Sequence, residues 1–183
     1  MKYYNYYPNF ITENFLEELV NEIELKQDYI DFDGVLVRES RLTSWQTSTN
    51  DTYSYAGKPL KPKPFTQTVN YLKNIIQNKY QVKLDSVLIN YYQDGNDHIN
   101  YHSDNYQIHK NNDIFVLSFG DTRKFIIREK KIHSNRDIFD ISNGDLFHMY
   151  GKCQELYDHS IRRDKNNQSK PRISLSFRCL SEE

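Results

Sequence analysis

Apolar residues recur at helical spacing in two segments near the start of the chain. The spacing predicts one helix over about 12–25, with Thr12 as its N-cap, and a second over about 65–78. The positions that carry these two patterns are Phe15, Leu16, Leu19, Val20 and Ile23, then Phe65, Val69, Leu72, Ile75 and Ile76. Between them, residues 31–64 combine short alternating runs with glycine and proline, which is typical of strands joined by loops.

After Val82 the pattern changes to short β-type runs bounded by turn-forming residues. The predicted strands are 84–92, 114–119, 123–129, 136–141, 145–150, 157–162 and 172–179. The stretch from Ser142 to Asp145 contains Asn-Gly, which tolerates positive φ, so we expect a tight hairpin there. Two helices followed by many short strands predict an α+β fold in which both helices pack on one sheet of an antiparallel sandwich or barrel.

Composition narrows the class of protein without naming a function. The 183 residues suffice for one domain, and 37% hydrophobic with 14% aromatic residues favours a globular, β-rich chain. A net charge of −1 provides no general attraction for polyanions. Two cysteines, Cys153 and Cys179, do not resemble a secreted disulfide framework, so we expect reduced thiols and an intracellular protein. No apolar run approaches the ~20 residues that a membrane helix needs.

His102 and Asp104 are the first candidates for chemistry. Side chains at positions i and i+2 of an extended chain point the same way, so this imidazole and carboxylate share one face. A second imidazole, His159, follows about 55 residues later and completes a two-histidine, one-carboxylate set. Such a set leaves positions on Fe(II) open for a bidentate co-substrate and dioxygen. By itself the spacing favours surface or hydrogen-bonded residues over a metal site.

The last predicted strand supplies a second polar set. Its alternation places Arg172, Ser174, Ser176 and Arg178 on one face and apolar residues on the other. The polar face is either wet or the floor of a pocket. Arg172 and Arg178 start about 20 Å apart at ~3.3 Å per residue, so long side chains leaning inward could hold both carboxylates of a five-carbon diacid.

From about Arg38 to Arg178 the chain resembles the AlkB-type Fe(II)/2-oxoglutarate dioxygenases, in particular their nucleic-acid alkylation-repair branch. The matching blocks, in chain order, are Arg41-Leu42-Thr43-Ser44-Trp45, Tyr53-Ser54-Tyr55-Ala56-Gly57, Asn90-Tyr91-Tyr92-Gln93-Asp94-Gly95, His98-Ile99, His102-Ser103-Asp104, Leu117-Ser118-Phe119-Gly120, Tyr157-Asp158-His159-Ser160 and the Arg172–Arg178 strand. The resemblance implies a double-stranded β-helix, or jelly roll, over 81–183, preceded by helices and a nucleotide-recognition lid over 1–80.

The resemblance also implies roles for individual residues. His102, Asp104 and His159 are expected to be the catalytic metal ligands for Fe(II). The expected 2-oxoglutarate contacts are Asn90, Tyr92, Arg172, Ser176 and Arg178. Tyr92 and Arg172 would share one carboxylate and Arg178 would take the other. Dioxygen is the third reactant, and the implied reaction hydroxylates an N-methyl carbon, whose hemiaminal releases formaldehyde and the unmodified base.

Substrate contacts are expected in the lid. Tyr55, with Tyr53 beside it, stands where repair enzymes of this family hold a flipped base against the first metal-binding histidine. Phe32, Asp33 and Gly34 stand where duplex-specific members carry a finger with an apolar wedge, although hairpin tips often carry Asp-Gly. Two departures leave base preference open. Trp45 is followed by Gln46 and Thr47 rather than an aromatic residue and glycine, and Asn105 and Tyr106 replace acidic residues after Asp104.

Basic residues near these segments are candidates for phosphate contacts or simply solvated charges. They are Lys58, Lys61 and Lys63, then Arg162, Arg163, Lys165 and Lys170. The preferred hypothesis is oxidative dealkylation of 1-methyladenine and 3-methylcytosine in DNA by a monomer without a membrane association. An RNA demethylase, a protein or small-molecule hydroxylase, and an inactive nucleic-acid-binding module are the alternatives. We expect a cytoplasmic or nuclear protein, or a viral protein acting inside a host cell.

Overall fold

The computed structural model describes residues 2–32, 34–49, 53–55, 58–104 and 112–180. Three helices lie in this part of the chain, α1 (Leu16–Glu22), α2 (Gln67–Tyr80) and α3 (Cys153–Leu156). The strands are β1 (Tyr4–Tyr7), β2 (Lys26–Phe32), β3 (Val35–Thr47), β4 (Tyr53–Tyr55), β5 (Lys58–Leu60), β6 (Ser86–Tyr92), β7 (Ile99–His102), β8 (Ile114–Gly120), β9 (Arg123–Glu129), β10 (Arg136–Ile141), β11 (Leu146–Met149), β12 (Tyr157–Ile161) and β13 (Arg172–Arg178).

The strands form two facing sheets and a small hairpin. The major sheet has seven strands in the order β1-β11-β8-β13-β6-β3-β2, and the minor sheet has four in the order β10-β9-β12-β7. The ladders between these strands are antiparallel. Strands β4 and β5 pair only with each other. This arrangement agrees with the predicted α+β jelly roll.

At β8 and β13 both faces of the major sheet are buried, and β8 is accordingly almost continuously apolar, whereas β13 alternates between apolar and polar residues. Phe115, Leu117 and Phe119 of β8 face the two longer helices, where they share a core with Leu19 of α1 and Leu72 of α2. The other face of β8 contributes to a second core between the two sheets. That core contains Ile114 and Val116 with Phe125, Ile127, Phe147 and Tyr157. The predicted packing of both helices on one sheet is therefore confirmed.

Two local predictions were wrong. Thr12 is not the N-cap of α1, because the helix begins at Leu16 and the cap position is Phe15. The Asn14 side chain accepts the Leu16 N–H instead, at 3.1 Å. The turn around Gly144 does have the expected positive φ of 77°, but it does not close a hairpin. It carries the chain from β10 in the minor sheet to β11 in the major sheet.

In the part of the chain that the structure describes, no helix combines the length and apolar character that crossing a membrane requires.

Candidate metal and co-substrate site

The three predicted metal ligands lie together between the sheets. His102 ends β7, Asp104 follows two residues later, and His159 lies on β12 directly opposite His102 in the ladder. One donor atom from each side chain lies within 4.8 Å of the others. The His159 Nε2 to Asp104 Oδ2 distance is 4.0 Å. Two imidazoles and one carboxylate at this separation suit Fe(II) and leave part of its coordination sphere for small ligands.

The imidazoles are in the form that binds a metal. His102 Nδ1 lies 2.8 Å from the Asn100 carbonyl oxygen, which can only accept, so Nδ1 carries the proton and Nε2 keeps its lone pair. Burial lowers the pKa of His102. Burial, followed by the neighbouring His102, lowers the pKa of His159 to about 3. Both rings are therefore neutral near pH 7, and each has one nitrogen with a lone pair for a metal.

A buried glutamine that the sequence did not reveal holds the metal-binding loop. The Asp104 N–H donates to Gln154 Oε1 at 2.9 Å, and Gln154, on α3, is 2% exposed. Lys130 Nζ donates to Ser103 Oγ at 2.9 Å and to the Gln154 carbonyl at 2.7 Å. The backbone between the two ligands of this loop is thus fixed from α3 and β9. No short sequence pattern links Gln154 to Asp104, because they are 50 residues apart.

A cavity beside the ligands contains most of the predicted co-substrate residues. Asn90, Tyr92, Arg172 and Ser176 line it together with the three metal ligands. The apolar part of its wall comes from Leu88, Ile99, Val116, Phe125 and Ile161. All seven residues of β13 are buried, so its polar face is a pocket floor and not a wet surface.

Arg172 has unused hydrogen-bonding capacity in this cavity. It is 1% exposed, and its Nη2 donates to Ser118 Oγ at 2.8 Å. Within the described ranges its Nε and Nη1 have no hydrogen-bond partner. The Tyr92 ring lies against the guanidinium, with 5.2 Å from Cζ to the ring centroid. A buried cation with two free donors is unfavourable alone and complementary to a carboxylate, so the cavity fits a carboxylate co-substrate.

Arg178 lies at the metal end of the cavity. It is fully buried, its Nη1 is 3.8 Å from Asp104 Oδ1, and its Nε donates to the Ser176 carbonyl at 3.4 Å. Arg172 lies instead against Ser118 and Tyr92. The two arginines therefore contact different protein groups, and of the pair Arg172 lines the cavity whereas Arg178 does not. That they hold the two carboxylates of one ligand stays a prediction.

A third buried arginine, Arg123, supports the site from behind. It donates to the carbonyls of Asp94 at 3.2 Å, Asp97 at 2.7 Å and Arg162 at 2.6 Å. Its guanidinium also lies 5.7 Å from the Tyr92 ring centroid, so Tyr92 contacts two arginines. The turn before β7 and the segment after β12 are thereby tied together. The sequence indicated no role for this residue.

Comparison with known proteins agrees with this geometry. The family model described as the 2OG-Fe(II) oxygenase superfamily matches residues 4–178. The chain belongs to that superfamily. Membership confirms the predicted use of Fe(II), 2-oxoglutarate and dioxygen.

Relatives place this oxygenase with the AlkB type. Uncharacterized protein R406 of Acanthamoeba polyphaga mimivirus is 36% identical over 98% of this chain and 94% of its own length. The human DNA oxidative demethylase ALKBH2 is 31% identical over 62% of this chain and 47% of its own length. Human alpha-ketoglutarate-dependent dioxygenase alkB homolog 3 is 27% identical over 95% of this chain and 65% of its own length. The chain thus spans about half of ALKBH2 and about two thirds of the alkB homolog 3 protein.

A solved structure, that of OsALKBH1, shows the same fold. It matches with a TM-score of 0.69 and 16% identity, covering 97% of this oxygenase and 98% of that chain.

The predicted substrate contacts are described only in part. Asp33 and Asn105 lie outside the described residues. Phe32 ends β2, and Tyr53 and Tyr55 lie in β4, where the backbone alone is described. Gly34 is at the tip of the β2–β3 hairpin with a φ of 81°.

The basic residues predicted to contact phosphates differ in whether their charges are free to do so. Lys63 forms an ion pair with Glu24 at 2.7 Å. Arg162, Arg163 and Lys165 are exposed and line a cavity next to the metal site, whose walls share Ile99 and Ile161 with the co-substrate cavity.

Proposed function

We propose that this oxygenase removes N-methyl groups from 1-methyladenine and 3-methylcytosine in DNA and releases formaldehyde. The observation that carries the proposal is the cavity in which Arg172, with two free donors, lies beside His102, Asp104 and His159. The named activity of ALKBH2, DNA oxidative demethylase, supports DNA as the substrate. The proposed unit is one domain, with helices and lid over 1–80 and the catalytic jelly roll over 81–183.

In this proposal His102, Asp104 and His159 hold the iron. Arg172 and Tyr92 bind one carboxylate of 2-oxoglutarate, and Asn90, Ser176 and Arg178 complete the co-substrate contacts. With oxygen, the bound iron and 2-oxoglutarate supply the oxidising power that hydroxylates the methyl carbon. The resulting hemiaminal breaks down to formaldehyde and the repaired base.

The apolar wall of the cavity excludes water from the reacting groups. Leu88, Val116 and Phe125 are nearly inaccessible to solvent, although they lie beside charged side chains. Electrostatic contacts in such a site are stronger than in water, so the two arginines orient an anionic co-substrate effectively. Tyr55, with Tyr53 and Asn105, is proposed to hold the flipped base over the metal site.

Features of the β2–β3 hairpin support the proposal that the substrate is duplex DNA. Phe32 pairs with Val35 at the end of the hairpin, and Gly34 lies at the tip with a φ of 81°. Among the described residues eight large hydrophobic side chains are exposed, and four of them lie in this hairpin: Tyr29, Val35, Leu36 and Val37. Concentrated apolar surface of this kind suits a contact with bases, and we propose that the tip fills the gap left by the flipped base.

The exposed basic residues supply the second part of the proposed nucleic-acid contact. Arg162, Arg163 and Lys165 follow β12, which carries His159, so phosphates bound there would lie close to the flipped base. Such contacts raise affinity without reading sequence and weaken with salt. The similarity to a mimivirus protein supports the proposal that this is a viral protein acting inside a host cell.

A formaldehyde-release assay tests the proposed reaction. Oligonucleotides of one sequence carrying 3-methylcytosine would be offered as duplex DNA, single-stranded DNA and RNA, with and without Fe(II) and 2-oxoglutarate. We expect turnover on DNA that requires both additions and disappears in His102→Ala with the fold retained. Turnover on RNA alone would assign an RNA demethylase, and no turnover on any oligonucleotide would refute nucleic-acid repair.

The finger has its own test. Phe32→Ala should reduce turnover on duplex DNA more than on single-stranded DNA, because only a duplex leaves a gap to fill. An equal loss on both substrates would remove the wedge role.

A further inference from the structure

A buried chain of three polar side chains runs from β3 into the co-substrate cavity. Arg41 Nε donates to Asn90 Oδ1 at 2.7 Å, and Arg41 Nη2 lies 3.1 Å from Glu39 Oε1. Glu39 and Arg41 are each 4% exposed, and Asn90 is 6% exposed. Such a chain is expensive to bury, and here the ion pair between Arg41 and Glu39 and the hydrogen bond between Arg41 and Asn90 offset part of the cost.

The bond from Arg41 decides which way the Asn90 carboxamide points. A guanidinium can only donate, so the atom it contacts must be the amide oxygen and not the nitrogen. The NH2 group is then the end left for the cavity that Asn90 lines. Arg172 contributes donors to the same cavity. Asn90 and Arg172 therefore both offer donors to a ligand in this cavity, which favours a carboxylate.

Glu39 makes this arrangement possible. It neutralises Arg41, so a buried cation can lie near His102 and Arg178 without adding a net charge. Gln27 Nε2 donates to the backbone carbonyls of Glu39 and Arg41, which fixes the strand that carries the pair. The backbone that carries the pair is therefore held from the β2 side of β3.

We propose that Arg41 is a positioning residue for the co-substrate. Held by Glu39, it locks the Asn90 carboxamide with the NH2 group toward a carboxylate of 2-oxoglutarate. Without that lock the amide adopts both orientations, and its oxygen faces the ligand in one of them. The inference rests on the proposed co-substrate site and not on any nucleic-acid substrate.

Binding of 2-oxoglutarate to Mn(II)-loaded protein, measured by isothermal titration calorimetry, tests it without turnover. Asn90→Asp keeps an acceptor for Arg41 but replaces the NH2 donor with a negative charge. We expect binding to weaken by more than about tenfold while the unfolding temperature is unchanged or higher. Arg41→Lys, which lacks the Nε donor, should weaken binding by about tenfold. Arg38→Lys, an exposed change on the same strand, should have no effect on binding.

A double-mutant cycle separates positioning from a general structural effect. If Arg41 acts through Asn90, Arg41→Lys should change binding less than about threefold once Asn90 is alanine. An undiminished loss in the Asn90→Ala background, or unchanged binding in Asn90→Asp, would overturn the inference. So would an absence of 2-oxoglutarate binding by the wild-type protein. Failure of the proposed function would look different, namely normal 2-oxoglutarate binding with no formaldehyde from any oligonucleotide.

Discussion

Replacing Arg172 by methionine is expected to affect the ligand-free and ligand-bound protein in opposite directions. The guanidinium is 1% exposed and, within the described ranges, two of its nitrogens have no hydrogen-bond partner. Each unsatisfied buried group costs about 1–3 kcal/mol, whereas losing the bond to Ser118 costs about 1 kcal/mol. A methionine of similar length removes the charge. The two groups together cost about 2–6 kcal/mol, so after the lost bond is subtracted the substitution should add about 1–5 kcal/mol to the ligand-free stability.

The same change should remove most of the stabilisation by 2-oxoglutarate. Removing one member of a buried charge pair costs about 2–5 kcal/mol of binding, which raises the Kd at least about 30-fold. For wild-type protein, ligand at a hundred times its Kd adds about 2.7 kcal/mol to the stability. For a chain of this size, each kcal/mol moves the Tm by about 2–4 °C. Thermal melts with Mn(II), with and without 2-oxoglutarate, would measure both effects.

Arg123 provides the matched control for this prediction. It is 3% exposed and contacts the same Tyr92 ring, but it donates to three backbone carbonyls. Arg123→Met leaves those carbonyls without their donor and should destabilise the ligand-free protein by about 3 kcal/mol or more. If Arg172→Met lowered the ligand-free Tm as much as Arg123→Met, or retained the Tm shift caused by 2-oxoglutarate, the assignment of Arg172 would be refuted.

Three further predictions concern the rest of the site and the fold. Gln154→Leu removes the acceptor for the Asp104 N–H and should weaken Fe(II) or Mn(II) binding by about 10–100-fold in an anaerobic titration. Glu155→Leu, a change at the exposed neighbouring residue, should leave metal binding unchanged. Cys153 and Cys179 are both buried, and burial raises the pKa of Cys153 to about 12. Both thiols should therefore resist iodoacetamide at pH 8 until urea unfolds the protein, and rapid labelling of the native protein would contradict this. Gly144→Ala places a Cβ 1.7 Å from the Ile11 carbonyl oxygen at a residue whose φ is 77°. Chemical denaturation should therefore show that the free energy of unfolding falls by more than about 2 kcal/mol. An unchanged denaturation midpoint would contradict the turn geometry.

Local periodicity located most of the strands. The predicted runs 123–129 and 136–141 coincide with β9 and β10, and 172–179 exceeds β13 by one residue. Alternation along β13 also predicted the polar face from which Arg172, Ser174 and Ser176 line the cavity, although Arg178 on the same face is not part of the lining. In these segments burial on a single sheet face, or on both faces, leaves a direct record in the order of apolar and polar residues.

The order of residues does not indicate which strands pair or which side chains support the site. Strand β1 was missed because it is only four residues long and pairs with β11, which lies far away in the sequence. The error at Gly144 has the same origin. An Asn-Gly sequence predicts the backbone angles of the turn, but it does not predict which sheet the following strand joins. Likewise, Gln154 and Arg123 act through backbone groups that any residue could provide, so no motif identifies their partners.

The place of β13 in the sheet order has a consequence for how the protein is made. This strand lies between β8 and β6, so it alone joins the half containing β1, β11 and β8 to the half containing β6, β3 and β2. A chain emerging from the ribosome cannot close the major sheet until residue 178 has left the exit tunnel. The proposed co-substrate arginines are on that same strand. Completion of the major sheet and acquisition of the binding site therefore both await this strand, and no chain that lacks β13 can bind 2-oxoglutarate through these arginines.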